Sequence, residues 1–345
     1  MKIGIRVDGG ENIGMGHIQR CLALAQQLKK RNTEVIFIFL KNEIVKEKIE
    51  KEGFGEIELK ERIDLKEDLI KTSKIIKEES IDILITDSYK FNQDYLVEIK
   101  KKTPFLISID DLGKFSFPSD IVINQNIYAK SLNYRSLNGK TKFLLGPKYA
   151  LLREEFTNVK ERKIEEKIQN LLITLGGEDR FNLSPKILKV LDKIEEDFGI
   201  TVIIGPFFKN LTQIEKVIKK MKKKVNLIHN PFSISKLMLS SDLAISGGGI
   251  TLYELAATST PALSICLADN QLKSIKRMER KGMIIGLGWG NRFAEEEFRQ
   301  NLSTLCNNFE LRKKMCQKGQ KLVDGKGAQR VTNLILQKVL RGKNN

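Results

Sequence analysis

The sequence predicts an α/β protein made of two Rossmann-like, doubly wound parallel-sheet domains with a ligand crevice between them. Three observations predict it. Short apolar runs alternate with charged segments of helical period along the chain. The alternation lapses near residues 152–167 and then begins again. Glycine-rich and polar clusters stand where the apolar runs end, the edge at which such sheets bind ligands.

In the first half the candidate strands are 3–7, 34–39, 83–86, 105–109 and 121–123, with helices over 17–31 and 65–80. Strands this short and this apolar suit a sheet covered on both faces. Residues 153–167 read REEFTNVKERKIEEK, highly charged and without strand period, as an interdomain connection or a helix leading from it. The second series places strands at 171–175, 201–204, 225–228, 243–246 and 262–266, with helices over 184–197 and 211–222. The expected division is therefore an N-terminal domain over 1–157 and a C-terminal domain over 158–327.

Composition narrows the function classes. A chain of 345 residues accommodates two domains, and 41% apolar with 30% charged residues is globular composition. No run of 18 apolar residues and no apolar leader segment is present, so a soluble cytoplasmic protein without membrane insertion is expected. The four cysteines are scattered and only two histidines occur, which argues against a metal site. Cys21 falls among apolar helix residues and reads as a buried small hydrophobe. The net charge of +17 is mostly lysine along helices, as at 28–30, 100–102 and 219–224, with no aromatic-interleaved basic stripe. It reads as a solvated surface that attracts anionic ligands rather than as a nucleic-acid site.

Four clusters carry candidate chemistry. The first is Arg6-Val-Asp8 followed by GGENIGMGHIQR, ending at Arg20. Gly14 and Gly16 permit a tight turn, and a helix starting near His17 would aim unpaired backbone amides at the crevice. An ordinary glycine-rich βα turn would look similar. His17 stands out because it sits at a helix start in a chain almost without histidine, where a neutral imidazole can take a proton from water. His229, in a His-Asn-Pro turn, reads as a loop residue or a nucleotide contact.

The second cluster, Ser246-Gly247-Gly248-Gly249-Ile-Thr251-Leu-Tyr-Glu254, follows an apolar strand and opens a helix. Its glycines let the backbone approach a diphosphate without metal, and Glu254 is placed to accept from a ribose diol. A turn needed only for close packing is the alternative. The third cluster, Thr174-Leu-Gly176-Gly177-Glu-Asp179, repeats the strand–glycine–helix order. The fourth is a set of polar strand ends, Asp87-Ser-Tyr89, Asp110-Asp111 and Asn124-Gln125-Asn126, each either a cap or a site residue. Asn270-Gln271 can donate to sugar or phosphate oxygens or cap a helix.

Together GMGHIQRCLALAQQL, RVD, DSY, IDD, GPKYALLREEF, TLGGED, SGGGITLYE and the Asn-Gln pair resemble the UDP-2,4-diacetamido-2,4,6-trideoxy-β-L-altropyranose hydrolases of pseudaminic acid biosynthesis, relatives of spore-coat polysaccharide proteins. The matched motifs run from residue 6 to about 271. Separately, GxGH and the GGG motif also occur in the UDP-GlcNAc transferase that makes lipid II. The resemblance implies the glycosyltransferase B fold, whose last helix returns to the first domain; 328–340, within the terminal segment 328–345, is the candidate. It implies metal-independent, cofactor-free hydrolysis of a UDP-sugar by water at the anomeric carbon, with inversion and release of UDP and free sugar. His17 would deprotonate the water. Asp8, Gly14, Gly16, Arg20, Tyr89, Asn270 and Gln271 would serve the substrate. Gly176, Gly177, Ser246, Gly247, Gly248, Gly249, Thr251 and Glu254 would hold UDP. The alternative is a UDP-sugar-dependent glycosyltransferase acting on a lipid or protein acceptor. No nucleic acid and no obligatory protein partner is implied. The sequence departs from the family at Gly9-Gly10-Glu11, where small polar residues are common, and no acetyltransferase domain is expected after the last helix.

Overall fold

A computed structural model describes every residue except Asn12, Lys160, Glu161, Phe232, Asn344 and Asn345. The parts of the glycine-rich loop, the charged stretch and the terminal segment that fall on those positions lie outside the described residues. The chain forms two units, Met1–Glu154 with Gly325–Asn345, and Glu155–Asp324.

In the first unit β1 (Lys2–Val7), α1 (Gly16–Lys29), β2 (Glu34–Leu40), α2 (Glu43–Lys51), β3 (Gly55–Leu59), α3 (Leu65–Glu78), β4 (Ile83–Asp87), α4 (Gln93–Lys100) and β5 (Phe105–Ile109) follow one another. A small ribbon of β6 (Ser116–Phe117) and β8 (Arg135–Ser136) flanks β7 (Ile121–Asn124) and β9 (Lys142–Leu145). The sheet order is β3-β2-β1-β4-β5-β7-β9, parallel throughout. The order reverses between β1 and β4, where Val7 registers with Asp87. That reversal is the switch point at which loops diverge to opposite faces and leave room for a ligand.

Asn42, Asp64 and Asn92 cap α2, α3 and α4 by accepting from the amides of Val45, Glu67 and Tyr95. Met15 gives α1 no such cap, and the helix packs its apolar side, from Ile18 through Leu28, into the core with β1 and β2. Segment 44–54, an ambiguous apolar stretch in the sequence, contributes Val45, Ile49 and Phe54 to that core.

The second unit runs β10 (Asn170–Thr174), α5 (Ser184–Leu191), β11 (Gly199–Ile204), α6 (Leu211–Ile218), β12 (Val225–His229), α7 (Ser235–Leu239), β13 (Leu243–Gly247), α8 (Thr251–Ala257), β14 (Ala262–Cys266), α9 (Asp269–Arg280), β15 (Ile284–Trp289), α10 (Glu295–Asn307) and α11 (Phe309–Leu322). Its parallel sheet has the order β12-β11-β10-β13-β14-β15, reversing between β10 and β13, where Thr174 registers with Ser246. Asp242 binds the start of this sheet, accepting from the amides of Gln169 and Asn170 at 2.8 and 2.9 Å.

The last helix, α12 (Gly327–Lys343), belongs to the first unit. Ala328, Val331 and Ile335 enter the same core as α1, Arg31 donates to Asn333 at 2.9 Å, and Arg330 donates to the Lys148 carbonyl at 2.7 Å. Gly327 permits this docking: a Cβ there would lie 2.1 Å from the Ala150 carbonyl oxygen and 2.5 Å from its nitrogen.

Gly327→Ala should therefore loosen α12 and destabilise the first unit by about 1–3 kcal/mol, the usual cost of overpacking against rigid backbone. Thermal unfolding with limited proteolysis of the C-terminal segment checks this; an unchanged melt with a protected helix would contradict it.

Candidate active site

At the β1/β4 switch point, side chains from four elements close on one another. The loop after β1 folds back through a bridge between Gly10 and Gly14, whose φ values of 122° and 82° favour glycine. It delivers His17 to the second position of α1. Gly16 adopts no left-handed φ and has open space where a side chain would stand, so the turn itself requires glycine at 14 but not at 16.

His17 is 6% exposed and its Nδ1 lies 2.6 Å from Asp87 Oδ1 at the end of β4. A carboxylate oxygen only accepts, so this contact calls for a proton on Nδ1; Arg20 Nη2, which only donates, also lies 3.0 Å from Nδ1, and the shorter carboxylate contact favours the Nδ1–H form, with Nε2 turned away from Asp87. Among the described residues nothing hydrogen-bonds Nε2. Arg20, one turn further along α1, donates from Nε to Asp87 Oδ2 at 2.7 Å and from Nη2 to Asp87 Oδ1 at 2.6 Å. Its Nη1 donates to both oxygens of Asp111 at 2.9 Å. Asp111 also accepts from the Tyr89 hydroxyl at 2.8 Å and from Asn126 Nδ2 at 2.6 Å. The Tyr89 ring stands edge-on to the His17 imidazole, with centroids 4.7 Å apart, and is 43% exposed.

Burial alone would raise the Asp87 carboxyl; the charge of Arg20, with the hydrogen bonds from Arg20 and His17, outweighs it and holds it well below the usual carboxylate range. Burial and the neighbouring Asp87 push the Cys21 thiol well up, so it remains a neutral donor, 3.4 Å from Asp87 Oδ2. A second buried array adjoins this one. Asp8 accepts from Arg6 Nη1 at 2.7 Å and from the Ser88 hydroxyl, and Arg6 is forked onto Asp68 of α3. Asp68 also accepts from Thr72 and Tyr95. Burial opposes the charge on Arg6, but Asp8 and then Asp68 keep its pKa raised.

The polar strand ends divide. Asp87, Asp111 and Asn126 join the histidine network. Asp110 holds its own turn, accepting from the amides of Leu112 and Gly113 at 2.9 and 2.6 Å, and Gln125 accepts from the Leu151 amide at 2.8 Å. Arg20, expected to reach a substrate, is 5% exposed and committed to two protein carboxylates. Asp8 is 2% exposed and held by Arg6 and Ser88.

The second unit places its glycine clusters at the β10/β13 switch point. Gly176, with φ of 85°, has open space where a side chain would stand. Gly177 backs onto Gly205, where a Cβ would meet the Gly177 Cα at 2.4 Å. Asp179 accepts from the Leu183 and Ser184 amides at 2.9 and 2.8 Å and so starts α5. After β13, a Cβ on Gly248 would strike Ile275 at 2.5 Å, whereas one on Gly249 would meet nothing nearer than Gln271 Nε2 at 3.8 Å. The Gln271 carboxamide oxygen accepts from the Gly248 and Leu267 amides at 3.0 and 2.9 Å, which fixes the loop and occupies one amide expected for a diphosphate. No hydrogen bond from the amides of Gly249, Ile250 or Thr251 is found among the described residues. Ser246 is fully buried and donates to the Gly247 carbonyl at 2.9 Å; Glu254 is 6% exposed on α8. Since α8 has seven residues, free amides rather than a long dipole are what it offers an anion. Asn270 is exposed in the first turn of α9, whose N-cap is Ala268, and His229 is exposed at the end of edge strand β12. Among the described residues no group of three or more His, Cys, Asp or Glu is arranged to hold a metal, and no helix is long and apolar enough to cross a membrane.

Arg6, Asp87, Asp111 and Asn126 stood in the candidate clusters without a role of their own, and Asp68 was not singled out from the sequence. The available signal was weak: an acid ending an apolar strand, and an acid on the buried side of α3.

Comparison with known proteins adds to this geometry. The chain is 34% identical over 283 residues to an uncharacterised protein of Methanocaldococcus jannaschii, covering 79% of this chain but only 57% of that protein's length. It is 31% identical over 285 residues to the UDP-2,4-diacetamido-2,4,6-trideoxy-β-L-altropyranose hydrolase of Campylobacter jejuni, covering 82% of this chain and 97% of that one. With the spore coat polysaccharide biosynthesis protein SpsG of Bacillus subtilis it shares 29% over 340 residues, covering 97% and 98%. Among solved structures, MurG of Acinetobacter baumannii superposes with a TM-score of 0.71 at 15% identity over 98% of this chain and all of that one. That likeness gives the glycosyltransferase B fold. No family model matches the sequence.

The depressed pKa of Asp87 has a sign that can be measured. Its contribution to stability is complete above the ordinary aspartate value of about 3.9 and is lost as pH falls through the lower folded value. Asp87→Asn should therefore be less stable than wild type at neutral pH, and the gap should narrow below about pH 4. Urea unfolding across that range tests the sign; a gap that widens on acidification would contradict it.

Proposed function

We propose a hydrolytic function from one premise: this chain belongs to the family of UDP-2,4-diacetamido-2,4,6-trideoxy-β-L-altropyranose hydrolases. On this reading the protein cleaves the anomeric C–O bond of a UDP-linked 2,4-diacetamido-2,4,6-trideoxyhexose. The observation that carries it is the 2.6 Å contact of His17 Nδ1 with Asp87, which leaves Nε2 without a hydrogen bond among the described residues. With Nδ1–H committed to Asp87, Nε2 is a base facing away from the carboxylate. It takes a proton from water as the water oxygen bonds to the anomeric carbon. The bond from that carbon to the β-phosphate oxygen breaks, its electron pair leaves with UDP, and configuration inverts. The unpaired amides at Gly249, Ile250 and Thr251 are suited to the diphosphate and its growing charge. Glu254 is assigned to the ribose, and Tyr89 and Asn270 to the sugar. Gly14 and Gly16 leave the start of α1 unobstructed. No metal or cofactor takes part in this scheme.

Incubation with a panel of nucleotide sugars, read by mass, should release UDP and free sugar in equal amounts without an acceptor. UDP release that requires a lipid or protein acceptor would replace the hydrolase by a transferase. His17→Phe should abolish turnover while leaving UDP affinity within a few fold. Gly16→Ala separates ligand from fold. Among the described residues a Cβ here meets nothing within 4 Å beyond its chain neighbours and its own helix, so alanine should stabilise the free enzyme by up to about 1 kcal/mol, as helix propensity dictates. The same change should lower kcat/KM at least about tenfold, because a substrate must pass where the methyl group stands. Unchanged kcat/KM would remove the start of α1 from the substrate path.

A further inference from the structure

His17, Asp87, Arg20, Asp111 and Tyr89 form a closed circuit. The contacts run 2.6 Å from imidazole to Asp87, 2.6 and 2.7 Å from Asp87 to the guanidinium, 2.9 Å from the guanidinium to Asp111 and 2.8 Å from Asp111 to the Tyr89 hydroxyl. The circuit closes where the Tyr89 ring meets the edge of the imidazole. Four of the five members are at most 6% exposed; Tyr89 alone is open to solvent.

We propose that Asp111 is a positioning residue that couples the exposed Tyr89 to His17 through Arg20, so that the orientation of the phenol sets the tautomer and tilt of the imidazole. The guanidinium makes this possible. A planar fork with fixed donor directions cannot bind two carboxylates independently, so rotation of Asp111 turns Arg20 and thereby Asp87. Asp87 Oδ1 is the shared point, since His17 Nδ1 and Arg20 Nη2 both address it at 2.6 Å. If Arg20 swings away, Asp87 loses the two donors that fix its orientation and Nδ1 loses the guanidinium 3.0 Å from it, so the imidazole is no longer confined to one tautomer. Asn126 braces Asp111 from the β7 side at 2.6 Å. Tyr89 is therefore the member most open to a ligand, and Asp111, Arg20 and Asp87 transmit its position inward to His17.

The kinetic part of this inference rests on the hydrolase reading; the spectroscopic part does not. The chain has only two histidines, so nitrogen-15 labelling of histidine with a His229→Gln background isolates the His17 signals. At a pH where the imidazole is neutral by its nitrogen-15 shifts, wild type should show one Nδ1–H tautomer. Asp111→Asn and Tyr89→Phe should each give a mixture of tautomers. Tyr89→Phe removes only a hydroxyl, so it serves if Asp111→Asn does not fold. In kinetics, each change should lower kcat roughly ten- to a hundredfold, the scale of other partners that orient a reacting group, with UDP affinity by calorimetry unchanged. The double variant should lose no more than the worse single, because both cut one circuit. A His17 signal that stays a single Nδ1–H tautomer in the variants, or kinetic losses that multiply, would overturn the coupling. If wild type hydrolyses no nucleotide sugar, the hydrolase reading fails and the tautomer experiment still decides the coupling.

Discussion

One buried carboxylate, Asp87, organises the first unit's site. A lone carboxylate at such a position would be neutralised by its own desolvation, and breaking a buried ion pair generally costs about 3–5 kcal/mol. Here Arg20 supplies the compensating charge through two donors, which leaves Oδ1 able to accept from His17 as well. The charge on Asp87 is thus secured by arginine, and its bond to histidine orients without depending on the histidine's own charge. An imidazole held this way presents the same nitrogen whether or not it has taken up a proton.

The parallel sheet makes that arrangement cheap to specify. Val7 and Asp87 sit side by side because β1 and β4 pair at the reversal of strand order, and the Asp8 amide donates to the Asp87 carbonyl at 3.2 Å. One backbone register therefore brings the β1 loop, α1 and the end of β4 together, although the residues are 70 positions apart in sequence. The second unit uses the same device with different chemistry. Thr174 and Ser246 are register partners at its reversal, and glycine loops follow each strand. Glycine is needed at 205 and 248 by packing, whereas at 176 and 249 the space a side chain would take is open. Packing explains the first pair; only an approaching ligand or backbone conformation explains the second.

Much of this was legible in the sequence, and the failures have physical causes. Apolar runs located the central strands, because strands buried on both faces must be apolar. Strands β3 and β9 were missed: GEIEL and KFLL are short, half-polar edge strands whose signal resembles a loop. Strand β15, IIGLGW, was missed as well, its apolar run being broken by Gly286 and Gly288. Helices 184–197 and 211–222 end earlier than their charged periodicity suggested, at Leu191 and Ile218, since lysine-rich and acidic residues extend a helical pattern without burying it. The charged stretch 152–167 is neither strand nor long helix among the described residues, holding only a short turn over Glu154–Phe156. At the site, His17 and the glycines were visible because rare residue types in a tight motif carry information locally. The commitment of Arg20 to Asp87 and Asp111 was not visible, because it depends on which strands neighbour each other rather than on spacing along the chain.

The formal charges around His17 run against those of the molecule. Two guanidiniums, Arg6 and Arg20, face four carboxylates, Asp8, Asp68, Asp87 and Asp111, within a chain of net +17. Surface lysines are screened over about 10 Å at ordinary ionic strength, whereas buried charges act through a less polarisable medium. The local field at the imidazole is therefore set by the buried carboxylates and not by the lysine surface. A site with that excess stabilises positive charge as it develops, as on an imidazole that accepts a proton. The same excess disfavours an anionic group beside His17. The glycine loop of the second unit, which lines up amides and no carboxylate within its Gly247–Gly249 turn, has the opposite preference.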